Sequence, residues 1–466
     1  MPGIRLGKNK YTSAQKRAGN YRPGFFYGLI LHNAFLKMNP EIKLIENYLS
    51  KHPLFEGDLP HSDPSCQWMV VVPVYREQDF IFSMFESLLK CDAPSFSGEL
   101  ILVFNCSDAD SDEVRIIQKN TAQEIRERFG SQPLHWLKVV IVEAYDLPRK
   151  HFGAGWARKI GMDLATHRFL ALNRPEGVIL TLDADCLVDK NYFTAIEEWF
   201  SHSQHQGAAI YFEHPTEGEA FPQEVYTGIT KYELHLRYYL QAHRYAGFPY
   251  AFHTMGSAMA VRAIAYARIG GMPRRQAGED FYFLQKLIPL GGFGEISTTA
   301  VFPSPRPSDR VIFGTGAAIA GHLEGTNQAE TTYQLISFQD LKVFFDLYKD
   351  LFTTDSADYE SWTYNLSGPM RSFLLNSGFF DDLDKLKADC SRQSVFDKRF
   401  FEIFNAFKVV KYLNYVEEHF YDRMPVFDAA QQLLEVLGVD TDDFFTESEL
   451  LEYYRSMEKK NPRVLL

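Results

Sequence analysis

Two aspartates separated by a single residue are the sharpest chemical feature of the sequence. Asp183 and Asp185 directly follow an apolar run at 178–182, which predicts a buried strand that ends on them. Carboxylate oxygens are the ligands that Mg²⁺ and Mn²⁺ prefer, and such sites leave positions open for phosphate oxygens. The simpler interpretation is that one aspartate caps the next helix. We predict that Asp183 and Asp185 bind Mg²⁺ or Mn²⁺ as a cofactor.

A second acidic pair, Glu279 and Asp280, precedes an apolar segment with helical periodicity at 281–290. Carboxylates at a helix N-terminus are stabilised by the helix dipole, so capping is one interpretation. The functional interpretation is a general base that takes a proton from a hydroxyl group. The residues alone leave both open.

Small polar and acidic residues follow the first two predicted strands. Pro73, Tyr75 and Glu77 come at the end of the first strand, and Asn105 and Asp108 at the end of the second. Side chains at such positions can hydrogen-bond a ribose or a base edge, although Asn and Asp are also common turn formers. We predict that these five residues contact a nucleotide.

Arginines in two segments are candidates for phosphate binding. Arg158 lies at the start of a predicted helix that follows two glycines, where backbone N–H groups can approach an anion. The spacing is not that of a dinucleotide fingerprint, so NAD binding is not predicted. Arg306 and Arg310 lie in a proline-containing loop and could pair with a departing diphosphate, or make ordinary surface ion pairs.

The elements that position these residues alternate between strands and helices. Apolar runs predict strands, and helical periodicity predicts helices between them; the strands are at 68–74, 100–104, 137–142 and 178–182, and the helices at 80–90, 112–129 and 155–166. This order predicts an α/β fold with a doubly wound, mostly parallel sheet that binds ligands at the carboxyl ends of its strands.

Three regions follow from the change in pattern along the chain. Residues 1–65 are predicted to be an N-terminal extension, 66–325 the α/β domain and 326–466 a helical C-terminal domain. Strands are predicted to stop beyond about Thr331. The aromatic-rich segment 233–250 is either a packing surface or a platform for a sugar acceptor.

Composition limits the classes of partner and location. The formal net charge is −12, which argues against nucleic acid as a partner because nucleic acid requires a basic face. Five scattered cysteines predict neither a disulfide framework nor a zinc site and favour the cytoplasm. No segment is long and apolar enough to predict a transmembrane helix, whereas peripheral contact with a membrane stays open.

The order of these motifs resembles that of inverting, family-2-like glycosyltransferases with the GT-A fold, over residues 68–316. Pro73, Tyr75 and Glu77 match the family's first strand end, and Asp183 with Asp185 matches its D-x-D motif. Asn105 stands where the family more often has Asp, although Asp108 remains. The segment 157–161 is similar to the family's Ala-Arg-Asn-x-Gly element, which implies that Arg158 contacts the donor.

The most specific match covers 256–262 and continues through 265–272, with Gly278, Glu279 and Asp280 at the expected distance. The resemblance implies Asp280 as the catalytic base in preference to Glu279. It also places Arg306 and Arg310 in the flexible region that covers the donor.

The resemblance implies a metal-dependent glycosyltransferase that moves a sugar from a UDP- or GDP-linked donor to a hydroxyl group of a sugar, a glycolipid or a small molecule, with inversion. A retaining GT-A enzyme acting on a small phosphorylated or carboxylated acceptor is one alternative, and a non-catalytic nucleotide-sugar-binding scaffold is another. A nucleotidyltransferase ranks lower, because Tyr75 and Glu77 stand where its glycine-rich basic loop would be. The C-terminal helices are the candidate interface of a homo-oligomer.

Overall fold

A mixed β-sheet forms the centre of the molecule, as seen in a computed structural model that describes residues 39–52, 59–150, 152–275, 278–308, 314–326 and 330–466. Its strands are β1 (Trp68–Val74), β2 (Gly98–Ser107), β3 (Leu137–Leu147), β4 (Val178–Thr181), β5 (Leu187–Val188), β6 (Gly207–Phe212), β7 (Met259–Arg262), β8 (Phe293–Phe302) and β11 (Val464–Leu465). Strands β9 (Thr331–Thr332) and β10 (Met424–Pro425) form a separate two-stranded sheet. The order across the sheet is β11-β8-β6-β7-β4-β1-β2-β3, with β5 paired to β8.

Helices surround this sheet and then continue alone toward the C-terminus. Those of the first part are α1 (Pro40–Leu49), α2 (Ile81–Leu89), α3 (Asp112–Phe129), α4 (Ala154–Ala171), α5 (Tyr192–Phe200), α6 (Gln223–Tyr245), α7 (Ala263–Arg268), α8 (Glu279–Leu287) and α9 (Thr315–Leu323). Those of the second part are α10 (Leu335–Leu347), α11 (Tyr359–Trp362), α12 (Gly368–Asn376), α13 (Phe379–Ala388), α14 (Gln393–Ile403), α15 (Ala406–His419), α16 (Val426–Val436) and α17 (Glu447–Lys460). Short 3₁₀ turns span Ile288–Leu290, Tyr348–Phe352, Ser356–Asp358 and Thr363–Asn365.

The predicted parallel sheet is confirmed for the half that carries the candidate residues. β1 pairs in parallel with β2 and β4, and β2 pairs in parallel with β3. Strand β7 is antiparallel to both β4 and β6, so the other half is mixed. The expectation that strands stop near Thr331 is wrong, because β11 pairs with β8. A strand of two residues is too short to give a hydrophobic pattern.

Strand β1 is buried on both faces, which explains its continuous apolar run. Val70 and Val72 pack with α2, α3 and α5, whereas Met69 and Val71 pack with α1, α4 and α7. Helix α4 lies very close to β1, since a Cβ added at Gly161 would be 2.3 Å from Cγ1 of Val71. Glycine at this position therefore brings Arg158, one turn earlier, to the end of the sheet.

The C-terminal helices are interrupted at positions where helical periodicity in the sequence continues. The segment 370–386 has such periodicity but is divided at Gly378, whose φ of 68° is unfavourable for other residues. The segment at 396–420 is divided before Asn405, whose side chain caps α15 by accepting hydrogen bonds from the N–H groups of Phe407 and Lys408. Among the described residues, no helix has both the length and the apolar composition to cross a bilayer.

A buried network of charges joins α17 to α6. The carboxylate of Glu233 accepts hydrogen bonds from Arg237 at 2.8 Å, from Arg455 at 2.8 Å and from Nδ1 of His214 at 2.9 Å. Arg237 also forms an ion pair with Glu458. Burial alone would raise the pKa of Glu458, but the charge of Arg237 outweighs it and lowers this pKa to about 2. The last helix is thus bound to α6 by fully ionised partners.

Replacing Glu458 by alanine should destabilise the fold strongly, because it leaves the buried Arg237 without one of its two carboxylates. We expect the free energy of unfolding to fall by about 3–5 kcal/mol, measured by chemical denaturation. Glu452→Ala on the same helix is the matched control: its side chain is 66% exposed, so its pairing with Arg455 should contribute at most about 1 kcal/mol. Equal effects of the two substitutions would contradict this account.

Candidate active site

A cavity of about 930 Å³ lies at the carboxyl ends of β1 and β4. It brings together most of the residues singled out in the sequence, from segments far apart in the chain. Those that line it are Pro73, Tyr75, Glu77, Asn105, Arg158, Asp183, Asp185, Glu279, Asp280 and Arg306.

Arg158 connects the two acidic motifs. One guanidinium nitrogen donates to Oδ1 of Asp183 at 2.7 Å, and the other forms an ion pair with Glu279. Both Arg158 and Glu279 are buried, whereas the Asp183 side chain is 40% exposed to the cavity. A buried arginine therefore fixes the end of β4 against the start of α8.

Arg306 pairs with two carboxylates on the opposite side of the site. Its Nε donates to Oδ2 of Asp185 at 2.7 Å, and its Nη2 donates to both oxygens of Glu77 at 2.7 and 2.8 Å. The guanidinium also lies over the ring of Phe80, 4.4 Å from its centroid. Burial nevertheless raises the pKa of Asp185 to about 6. The arginine predicted to pair with the diphosphate is thus paired with protein carboxylates.

Asp280 lies at the first turn of α8 beside the loop that precedes β7. Its Oδ1 accepts a hydrogen bond from the N–H of Phe281 at 2.7 Å, so it does take part in capping. A Cβ added at Gly256 would lie 3.0 Å from its Oδ2 and 3.1 Å from Nη1 of Arg158, which explains why glycine occupies that position. Burial raises the pKa of Asp280, and also that of Glu279, above the ordinary range. A raised pKa favours a role in accepting a proton.

The side of the cavity near Tyr75 and Asn105 is aromatic and polar. The rings of Tyr75 and Phe152 meet edge to face with centroids 4.8 Å apart, and the Tyr75 hydroxyl donates to Asp110 at 3.0 Å. Asn105 donates through Nδ2 to the carbonyls of Val74 and Val103. Its buried Oδ1 has no hydrogen-bond partner among the described residues. This oxygen is therefore a spare acceptor at the place where the sequence predicts a base or ribose contact.

One predicted contact residue, Asp108, does not line the cavity. It is exposed, and its carboxylate accepts from the N–H of Arg149 at 3.1 Å, which stabilises the loop after β2. Arg310 lies outside the described residues. His322 of α9 packs against Gly228 of α6 and is not among the lining residues.

Helix α6 contributes residues whose role the sequence left undecided. Its Tyr232, His235, Tyr239 and His243 all line the cavity, so the aromatic-rich segment serves both as a packing surface and as part of the site. The four positions recur at intervals of three or four residues, which is the spacing of one helical face. That spacing was the sequence signal for a common surface.

The oxygen atoms at Asp183 and Asp185 fit a hard divalent cation that is shared with a ligand. One oxygen of each carboxylate accepts a hydrogen bond from an arginine. The second oxygen of each has no nitrogen donor among the described residues. These residues contain no group of three or more His, Cys, Asp or Glu side chains that could hold a metal alone. Two carboxylates completed by phosphate oxygens and water are the usual Mg²⁺ arrangement.

Comparisons with known proteins give one family match and several similar solved structures. The model of glycosyl transferase family 2 matches residues 69–265, and no curated protein matches the sequence. Among solved structures, residues 1–349 of TarS from S. aureus in complex with UDP-GlcNAc are 16% identical, cover 74% of this chain and 90% of that chain, and give a TM-score of 0.35. Mannosyltransferase PcManGT from Pyrobaculum calidifontis, in complex with GDP-Man and Mn²⁺, is 12% identical, with 93% and 97% covered and a TM-score of 0.30.

Replacing Arg158 by methionine should leave Glu279 buried without its cation. At neutral pH we expect a loss of about 3–5 kcal/mol in the free energy of unfolding. The loss should shrink as the pH falls, because the pKa of Glu279, already raised by burial, rises further and its protonated form is less costly to bury. Denaturation of variant and parent chains at several pH values measures this. Arg128→Met, which removes an exposed pair with Glu124, is the control, and a pH-independent loss would contradict the prediction.

Proposed function

We propose that the chain, whose residues 69–265 match the model of glycosyl transferase family 2, transfers a sugar from a nucleotide-diphosphate donor to an acceptor hydroxyl, with inversion and with a divalent cation. The observation that carries this proposal is the arrangement around Arg158. Its guanidinium contacts both Asp183, at the predicted diphosphate end of the cavity, and Glu279, the neighbour of the candidate base Asp280. A single cavity thus presents both halves of a transfer reaction.

In this proposal the donor occupies the side of the cavity at the carboxyl ends of β1 and β2. Its nucleoside lies against Tyr75 and Phe152 and donates a hydrogen bond to the unpartnered Oδ1 of Asn105. A ring N–H of either uracil or guanine can make such a bond, so UDP- and GDP-linked donors both fit. The diphosphate extends from there toward Asp183 and Asp185.

Asp183 and Asp185 are the residues that would hold a Mg²⁺ or Mn²⁺ ion together with the diphosphate. When bound, the cation would offset the negative charge of the leaving nucleoside diphosphate. Arg306 can exchange its contacts with Glu77 and Asp185 for a phosphate oxygen, since guanidinium groups bind carboxylate and phosphate in the same geometry. It would then stabilise charge as the diphosphate departs.

Asp280 accepts the proton of the acceptor hydroxyl in the proposed reaction. The hydroxyl oxygen attacks the anomeric carbon from the face opposite the diphosphate, the bond from that carbon to the phosphate oxygen breaks, and the configuration inverts. Burial raises the pKa of Asp280 and so increases its strength as a base. Arg158, paired with Glu279 and Asp183, keeps this carboxylate beside a fixed positive charge.

The proposed organisation of the chain assigns the sheet and its helices, 66–325, to the GT-A domain and 326–466 to the helical C-terminal domain. A cytoplasmic protein acting on a free or surface-exposed acceptor is the corresponding cellular context. The scattered cysteines favour this location, because all five are buried thiols.

Asp280→Asn should abolish most turnover while donor binding persists. Asparagine keeps the size of the side chain but cannot accept the proton, so we expect release of nucleoside diphosphate from UDP-GlcNAc or GDP-mannose to fall by about 10²–10⁴-fold. Product release is measured with Mn²⁺, and nucleotide affinity by calorimetry. Asp346→Asn, at an exposed position on α10, serves as the control. Near-normal turnover of Asp280→Asn would exclude Asp280 as the base.

Asp185→Asn should remove the metal dependence of nucleotide binding. We expect the gain in UDP or GDP affinity on adding Mn²⁺ to fall at least about tenfold, because the amide is a poor replacement for a charged oxygen ligand. Affinity in EDTA should change little. Calorimetry with and without Mn²⁺ measures both values, and exposed Asp443→Asn is the matched control. An unchanged response to Mn²⁺ would exclude Asp185 as a ligand.

A further inference from the structure

The cavity continues past the carboxylates into a second part with a different character. This part, termed the acceptor compartment, is lined by α6 between Tyr232 and His243, by the loop 248–255, and by Ala406 and Val410 of α15. We propose that the acceptor compartment binds an uncharged, hydroxylated acceptor with an apolar body, and that the C-terminal helical domain determines this specificity. The inference rests on the proposed function and specifies its acceptor class.

The acceptor compartment adjoins the candidate base directly. The pKa of Tyr232 is raised by burial and, in addition, by the negative charge of Asp280, so this end of α6 faces the carboxylate. Helix α15 reaches the same place from the C-terminal domain. The ring of Phe407 contacts Phe281 and Tyr282 of α8, with centroids 4.8 and 4.4 Å away. A molecule in the acceptor compartment therefore lies between α6 and α15 and next to Asp280.

Apart from the neighbouring Asp280, the described residues of this compartment offer an acceptor no charged side chain. None of the described lining residues contributed by α6, the loop 248–255 or α15 is Lys, Arg, Asp or Glu. The lining arginines lie elsewhere, and two of them, Arg158 and Arg306, are paired with carboxylates. A phosphate or carboxylate on the acceptor would lose its hydration here without gaining a cation, which is costly. Acceptors that carry a phosphate or a carboxylate are therefore excluded.

The buried ring of His243 supplies a hydrogen-bond acceptor instead. Burial lowers the pKa of His235 and of His243 to about 4, so both rings are neutral at physiological pH. Nδ1 of His243 lies 2.7 Å from the carbonyl of Tyr239, and this contact requires a proton on Nδ1. Nε2 therefore carries a lone pair, and no described residue donates to it. A hydroxyl group is the complementary ligand.

The remaining surface of the acceptor compartment is aliphatic and aromatic. Leu236 and Leu240 of α6 face the cavity together with Val410 of α15, and the rings of Phe248 and Tyr250 add to this surface. Aromatic rings bind the apolar face of a sugar, but aliphatic side chains gain most from an alkyl or ring substituent. Hydroxyl groups near the histidines and an apolar body against the leucines together describe an amphiphilic acceptor.

The test compares acceptor analogues that share a sugar and differ in their apolar part. Methyl and n-octyl β-glycosides of glucose, galactose and N-acetylglucosamine are titrated, below micelle-forming concentrations, into the full chain with Mn²⁺ and UDP or GDP. Glucose 6-phosphate is the anionic probe. Ligand-observed NMR gives the dissociation constants. We expect at least one octyl glycoside to bind tenfold or more tightly than its methyl partner, and glucose 6-phosphate to bind no better than methyl glucoside.

A pair of valine substitutions locates the site of that preference. Val410→Glu places a charge in the acceptor compartment and should reduce octyl glycoside affinity at least tenfold while nucleotide affinity stays unchanged. Val436→Glu makes the same change at a position on α16 that is 44% exposed and should have no effect. Val410→Ser is the milder variant, with a smaller loss of the same sign, if the glutamate lowers the yield of folded chain.

Different results would overturn the acceptor assignment and the proposed function. Equal binding of octyl and methyl glycosides, tighter binding of glucose 6-phosphate, or an octyl preference that survives both Val410 substitutions would overturn the acceptor assignment. Failure of UDP and GDP to bind with Mn²⁺ would instead overturn the proposed function. Nucleotide binding without an octyl preference would leave the glycosyltransferase proposal standing and remove only the acceptor class.

Discussion

The guanidinium of Arg158 is the interaction on which the rest of the site depends. It lies between a carboxylate at the end of β4 and another at the first residue of α8, and these are separated from it by 25 and 121 positions in the chain. The arginine reaches this point because Gly161 allows α4 to pack directly on β1. Without that charge, the acidic groups that define the two halves of the cavity would repel one another in a buried setting.

The site carries more carboxylates than arginines, and this affects how the proposed donor could enter it. Glu77 and Asp185 share Arg306, while Asp183 and Glu279 share Arg158. In the proposed reaction Arg306 would transfer its bonds to the diphosphate, and the accompanying cation would take its place on Asp185. Exchange of partners, with no net uncovering of charge, avoids the high cost of an isolated buried ion.

Local patterns were sufficient to predict the parts of the molecule in which one segment determines its own structure. The run Trp68–Val74 could only be a strand buried on both faces, and Asp183 and Asp185 follow such a strand directly. The pairing of residues that are distant in the sequence could not be predicted. No sequence pattern near Arg306 indicates that it pairs with Glu77, 229 residues earlier. Aspartate occurs both as a turn residue and as a ligand, so the residue type of Asp108 does not distinguish the two roles. The burial of Arg455 and Glu458 in α17 was not predicted, because such charged residues are typical of a solvated helix face.

The network around Glu233 also has a consequence for the order of events during synthesis. Glu233 is completed by Arg455, which lies 222 residues later in the chain, and Glu458 follows three residues after that. When α6 leaves the ribosome, its carboxylate therefore faces a core that lacks one of its cations. Domains generally fold as units as they emerge, but here the unit closes only when the last helix has been translated. This network therefore stays incomplete in the nascent protein until the segment between α6 and α17 has been synthesised.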